Sequence, residues 1–348
     1  MSTHKAGKGG TVRPATSRVL VVGGAGFVGS VLVRDLLERG YAVSVLDAFM
    51  YGDDGLEELY GRDRLRVVQG DIRDVESVVR AMRDADAVVH LGGLVGDPAC
   101  ALDEQVTLDI NLHATRTLAW VARGLGVTRF VFASSCSIYG AGDGILSEGS
   151  PLAPVSVYAQ SKCDSEELLL AMSDDTFAPC VLRFGTLYGL SSRPRFDLVV
   201  NLLTAKAVTE GQITVFGGDQ WRPFLHVTDA ALAVVLCLES DVSLIRGEVF
   251  NVGSDEDNHT LAEMAGLVAE QVPGSEVVLH DAADVEANYR VSFAKIHDQL
   301  GYRTQRSLGE GIAEIRDAVL NGEIMDYLDA RYSNHKSLVV SGTAALLR

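Results

Sequence analysis

Short apolar runs and helical stripes alternate along the first half of the chain. Residues 18–22 (RVLVV) form a β-branched run of the length and composition of a buried strand. A glycine cluster follows, and then residues 30–39 (SVLVRDLLER) carry apolar side chains on a helical period. Residues 42–46 (AVSVL) read as the next strand, ending at Asp47. Residues 65–71 and 85–93 repeat the strand-then-loop pattern, with a helical segment (VESVVRAMRDA) between them. Residues 129–135 and 179–185 look like further strands. Strands alternating with helices argue for an α/β fold, a Rossmann-type doubly wound parallel sheet with helices on both faces. Past residue 186 the alternation loosens and Gly, Pro and charged residues increase. Thr260 and Glu263 have the spacing of a capping box and predict a helix start. The pattern divides the chain into a flexible tail (1–17), a first domain built on the parallel sheet (18–185), a smaller lobe (186–330) with segments returning to the first domain, and a C-terminal extension (331–348).

Composition narrows the class. Hydrophobic residues make up 47% of the 348, enough for a sizeable core. Against 30 Lys and Arg stand 47 Asp and Glu, a formal net charge of -17. Such a surface repels phosphate backbones and anionic lipid, which disfavours nucleic-acid and membrane partners. A locally basic pocket for a phosphate-bearing small molecule stays open. The five cysteines are widely spaced and odd in number, with neither a metal-site nor a disulfide pattern, and no metal is expected. No apolar run reaches membrane-spanning length, and residues 1–17 lack a signal-peptide core, so the expected location is cytoplasmic.

The glycine cluster carries the first chemistry. Gly23, Gly26 and Gly29 stand between a strand and an amphipathic helix. Glycines there permit a tight turn, close approach to a pyrophosphate and close helix packing, and the helix N-terminus presents free N–H groups to the phosphates. Phe27 and Val28 lie within the same turn. Asp47 ends the second strand eighteen residues past Gly29, where a carboxylate accepts bonds from ribose hydroxyls. It repels a 2′-phosphate, and no Lys or Arg follows until Arg62, which favours NAD over NADP. Asp71 and Ile72 after the third strand are placed near the adenine, and Leu91 and Gly92 after the fourth let backbone approach the cofactor. His90 reads as structural.

Tyr158 and Lys162 are four residues apart at the start of a helical stretch, hence on one face. A neighbouring ammonium favours the phenolate and makes Tyr158 a base for a hydroxyl proton. Ser135, at the end of a strand, is placed to polarise the reacting oxygen.

These motifs, with the stretches at 183–189 (RFGTLYG) and 222–227 (RPFLHV), make the chain similar to extended short-chain dehydrogenases/reductases of the nucleotide-sugar epimerase/dehydratase family over roughly residues 18–325. The resemblance implies a tightly held NAD, a Ser135/Tyr158/Lys162 triad and a C-terminal lobe that grips a nucleoside-diphosphate sugar. Arg222 and Arg290 match positions that hold the diphosphate, and Arg195 and Asn201 match a segment lying over the nucleotide. Arg193 also stands out in so acidic a chain, without an assigned role. Phe216 either flanks the base or is a core aromatic. Family scaffolds pair two helices per subunit in a dimeric four-helix bundle, so segments 103–123 and 157–173 imply a homodimer. Two departures matter. Val22 replaces a frequent Thr, and Cys136 and Ser137 replace the Asp-Glu pair with which family 4,6-dehydratases eliminate water. Cys136 reads as a packing residue. The expected reaction is epimerisation by transient oxidation at C4. A C4 dehydrogenase or 4-ketoreductase uses the same triad and stays open, a non-catalytic NAD sensor is disfavoured by the intact triad, and a steroid- or flavonoid-type reductase is disfavoured by Asp47 and the arginines.

Overall fold

A computed structural model describes residues 17–282 and 287–342. The tail expected over 1–17 lies outside the described residues except for Ser17, whose backbone N–H and hydroxyl both donate to Asp86. Residues 343–348 of the expected extension lie outside as well.

Among the described residues the strands run β1 (Arg18–Val22), β2 (Ala42–Asp47), β3 (Leu65–Gln69), β4 (Ala87–His90), β5 (Arg129–Ser135), β6 (Ala141–Leu146) and β7 (Ala178–Phe184). They continue as β8 (Thr186–Tyr188), β9 (Gln212–Phe216), β10 (Trp221–His226), β11 (Glu248–Val252), β12 (Asn258–Thr260), β13 (Glu276–His280) and β14 (Asn288–Val291). Seven of them form one parallel sheet in the order β11-β7-β5-β4-β1-β2-β3. The chain winds outward from β1 through β2 and β3, then returns to β4 on the other side. That reversal opens a crevice at the carboxyl ends of β1 and β4, where a doubly wound sheet receives ligands.

The sheet is buried on both faces because successive residues of a strand point to opposite sides. Val19 and Val21 of β1 join one core with the Phe27–Glu38 and Val227–Glu239 helices. Leu20 and Val22 join the other with the Ala114–Gly124 helix. β11 and the Val227–Glu239 helix therefore come from late sequence to complete the first domain.

The lobe has its own core around Tyr188, Phe196, Phe224, Met264 and Ile312. Three small sheets frame it: β12-β10-β8, β13-β9 and β14-β6. The capping box is present: Thr260 Oγ accepts the Glu263 N–H at 3.1 Å and Glu263 returns a bond at 2.8 Å, starting the Leu261–Gln271 helix. The end of the chain touches both units. Tyr327 and Tyr332 pack in the lobe core, whereas Leu338 of the Asn334–Ser341 helix is buried in the core under the sheet. Among the described residues no helix is long and apolar enough to cross a membrane.

Candidate active site

The crevice opens into a cavity of about 330 Å³, and one wall of it holds every residue assigned to the cofactor on sequence grounds, from the Gly23–Gly29 turn to Asp47, Asp71, Ile72, Leu91 and Gly92. Gly23 has φ +79°, and a Cβ there would sit 2.7 Å from the Gly92 nitrogen. A Cβ on Gly29 would sit 2.1 Å from the Gly23 carbonyl oxygen, so only glycine lets the Phe27–Glu38 helix start this close to β1. Gly26 is the N-cap and supplies no side-chain cap, which leaves first-turn N–H groups for a ligand.

Asp47 accepts the N–H groups of Ala25 and Phe49, each at 2.9 Å. Burial raises its pKa, against the pull of those bonds and of the Arg193 charge. Arg62 is the next basic residue along the chain, but in space Arg193, from the loop after β8, lines the same cavity and its charge acts on Asp47. Asp71 is gripped by Arg73, with Nη2 donating at 2.6 Å. Burial works to raise its pKa, but the Arg73 bonds win and hold it below the ordinary value.

The reactive end is built by β5 and the Val157–Ala171 helix. Ser156 caps that helix by accepting the Ala159 N–H at 3.1 Å, which sets Tyr158 and Lys162 on its inward face. Ser135, at the carboxyl end of β5, accepts the Ser137 N–H at 3.1 Å and stands at the Tyr158 phenol, where its hydrogen bond works to lower the phenol pKa. The dominant effect on Tyr158 is the opposite one. Burial raises its pKa, helped by Cys100 and Asp97. The Lys162 ammonium, expected to favour the phenolate, lies 6.0 Å from the Tyr158 ring centroid and donates to the Ala133 carbonyl at 2.8 Å. Burial lowers the Lys162 pKa to about 8.

Two neighbours are held in buried, packed surroundings. His90 Nε2 is 2.8 Å from Thr115 Oγ1, and burial holds the ring neutral by lowering its pKa to about 3. Cys136 is fully buried, donates to the Arg183 carbonyl at 3.3 Å, and has its thiol pKa pushed up by burial.

The residues assigned to substrate separate. Arg195 lines the cavity, paired with Asp197 at 2.9 and 3.0 Å. Arg222 and Arg290 lie outside that wall, in the lobe. Arg222 donates to the carbonyls of Trp221 and Ala287 and sits 5.6 Å over Tyr289, and Arg290 sits 4.9 Å over the Trp221 ring. Asn201 does not face a ligand. It is fully buried and its amide is spent on backbone, accepting from Gly189 N–H and donating to the Gly189 and Arg195 carbonyls at 2.8–3.0 Å. Phe216 is exposed and stacks on His280 at 5.2 Å, which removes the core reading. Tyr51, Thr186, Arg193 and Asn334 also line the cavity and were not assigned from sequence.

The sequence model of the NAD dependent epimerase/dehydratase family matches residues 19–253. The chain belongs to this family. It is 30% identical to a dTDP-glucose 4,6-dehydratase of an Actinoplanes species over 312 residues, covering 85% of this chain and 96% of that protein. The solved dTDP-glucose 4,6-dehydratase of Streptomyces venezuelae, with NAD bound, superposes with a TM-score of 0.78 at 30% identity over 88% of this chain and 98% of its own. The Bacillus cereus UDP-glucuronic acid 4-epimerase, solved with UDP-glucuronic acid and NAD, gives 0.79 at 25% over 87% and 99%. The glycine turn, Asp47 and the Tyr158/Lys162 helix fit a dinucleotide, and NAD is the cofactor of the family and of this protein.

Proposed function

We propose that the protein is a nucleotide-sugar epimerase that inverts C4 of a nucleoside-diphosphate sugar through a transient ketone. The observation that carries this reading is a complete Ser135/Tyr158/Lys162 set lining the cofactor cavity, with no carboxylate in the two positions after Ser135. Bound NAD supplies a reversible hydride acceptor. Tyr158 Oη takes the proton of the C4 hydroxyl and returns it when the ketone is reduced from its other face. Ser135 holds the same oxygen by a hydrogen bond, which fixes the carbinol against the phenol. Lys162 offsets the charge of the phenolate, a need set by the burial that raises the Tyr158 pKa. Elimination of water needs an acid at the leaving hydroxyl. Cys136 is sealed in the core with a raised thiol pKa, and Ser137 is not acidic. Arg222 and Arg290, braced over Tyr289 and Trp221, offer guanidinium groups to the sugar nucleotide's diphosphate.

The test is product NMR after incubation with UDP-glucose, UDP-glucuronic acid and dTDP-glucose. The C4 epimer of one of them, with no build-up of NADH, is expected. A 4-keto sugar with equimolar NADH makes the protein a dehydrogenase, and a 4-keto-6-deoxy sugar makes it a dehydratase; either overturns the reading.

The same reading includes a homodimer. Trp120 is 65% exposed on the Ala114–Gly124 helix, which packs beside the Val157–Ala171 helix. An exposed Trp on such a face suits a bundle with a second copy. Light scattering should show a dimer that Trp120→Asp weakens.

A further inference from the structure

Buried polar atoms in a folded protein almost always have partners. Among the described residues nine buried side-chain nitrogens and oxygens have none, and four of the nine line the cofactor cavity: Tyr51 Oη, Arg193 Nε, Arg193 Nη2 and Asn334 Oδ1. Arg193 is the costliest. It is only 5% exposed, its guanidinium carbon lies 4.4 Å over the Tyr51 ring, and Arg195 adds a like charge next to it. Burial, and then Arg195, lower its pKa to about 10, so it stays a cation at neutral pH.

The surrounding structure is built to keep it there. Ser191 Oγ accepts the Arg193 N–H at 3.2 Å and donates to the Arg193 carbonyl at 2.8 Å. Four residues on, Asp197 pairs with Arg195 and accepts the Asn334 N–H at 3.0 Å. The Phe196 N–H donates to the Tyr332 carbonyl at 2.8 Å. Asn334, which lines the cavity, donates to the carbonyl of Val95, another lining residue, at 3.1 Å. The C-terminal segment thus ties the Arg193 loop of the lobe to the loop after β4 in the sheet domain. The matched relatives are covered over 96–99% of their own length while 12–15% of this chain lies outside the match.

We infer that Arg193, held in place by Asn334 and the C-terminal segment, is an anchor for the diphosphate of NAD, closing on it from the side opposite the Gly23–Gly29 turn. The chemistry suits the group. A planar guanidinium with free N–H donors binds phosphate oxygens bidentately. Its neighbour across the cavity is Asp47, the ribose-binding acid, so the anion it meets belongs to the adenosine half of the cofactor. A nucleoside-diphosphate sugar carries the same anionic group and is the competing source. The inference rests on NAD as cofactor and not on which sugar reaction the enzyme performs.

Binding measurements separate the sources. Full-length protein stripped of NAD is titrated calorimetrically with adenosine, ADP-ribose, NAD, UDP and dTDP, as wild type, Arg193→Gln, Arg193→Lys and Asn334→Ala. For Arg193→Gln the expected result is a loss of about 10- to 100-fold for ADP-ribose and NAD, the scale of a charged hydrogen-bonded contact. Adenosine, UDP and dTDP should be unaffected. Arg193→Lys should recover part of the loss, and Asn334→Ala should lose less than Arg193→Gln, in the same direction. The ligand-free melting temperature of Arg193→Gln should equal or exceed that of wild type, because a buried unpaired charge is removed. Unchanged ADP-ribose affinity overturns the inference. So does a loss confined to UDP and dTDP, or a lower ligand-free melting temperature with adenosine and ADP-ribose weakened alike.

Discussion

Two arginines of this protein are buried to nearly the same degree, Arg183 at 4% exposure and Arg193 at 5%, and they sit in opposite kinds of surroundings. Arg183, on β7, faces a closed network behind the sheet's catalytic edge. Its Nε and Nη2 donate to both Glu166 oxygens at 2.7–3.1 Å and its Nη1 donates to Tyr139 Oη at 2.8 Å. Tyr139 in turn reaches Asn251 Oδ1 at 2.8 Å, and Ser134 completes Glu166. Burial alone would lower the Arg183 pKa, but Glu166 overrides it and raises it. Arg193 has no such partners and its pKa falls. Burial therefore does not distinguish scaffold from site in this fold. Between these two arginines hydrogen bonding does: Arg183 spends its donors on Glu166 and Tyr139, whereas Arg193 Nε and Nη2 have no protein partner and line the cavity.

The contrast predicts different failures. At the cavity, Tyr158→Phe keeps the ring and removes the proton carrier. Turnover should fall by about 10²- to 10⁴-fold, with NAD and nucleotide affinity retained in equilibrium titrations. Ser135→Ala should fall less, since it removes an orienting bond and not the carrier. Turnover within a few-fold of wild type for Tyr158→Phe would sink the assignment of the base. In the network, Glu166→Gln leaves Arg183 as a buried charge without its counterion. A loss of about 3–5 kcal/mol in denaturant unfolding is expected, the usual result of breaking a buried pair. If Glu166→Gln unfolds like wild type but loses turnover, the network belongs to the site and the comparison collapses.

How much of this was legible in the sequence depends on distance along the chain. β1, β2 and β5 follow from their apolar runs because a buried parallel strand needs little else. The Gly23–Gly29 turn, Asp47 and the Tyr158/Lys162 pair are likewise encoded in short spacings. Segments returning to the sheet domain are expected after residue 186, but that they are β11 and the Val227–Glu239 helix is fixed only by tertiary pairing with β7 and the first helix. Asn201 was placed over the nucleotide by family resemblance alone, and in the fold its amide braces the backbone at Gly189 and Arg195. The most instructive miss is the cation facing Asp47. Arg193 is 146 residues away in sequence, and a rule based on the next basic residue after the strand cannot see it.

Cys136 gives the smallest expected effect and sharpens the boundary between the two regions. It follows Ser135 directly, yet it reads from sequence as a packing residue. In the structure the strand end turns it away. Its sulfur is fully buried and donates to the carbonyl of Arg183, which puts it in the satisfied network and not in the cavity. A thiol there cannot give up its proton cheaply, because burial raises its pKa with little relief from Arg183. Cys136→Ala should therefore leave turnover within a few-fold of wild type at neutral pH and reduce stability by about 1 kcal/mol, from the small cavity and the lost weak bond. A Cys136→Ala enzyme as slow as Tyr158→Phe, with NAD and nucleotide affinities intact, would mean that the thiol moves a proton at a carbon beside the ketone. The line between scaffold and site would then have to be drawn on the far side of Cys136, and simple inversion at C4 would give way to chemistry at its neighbours.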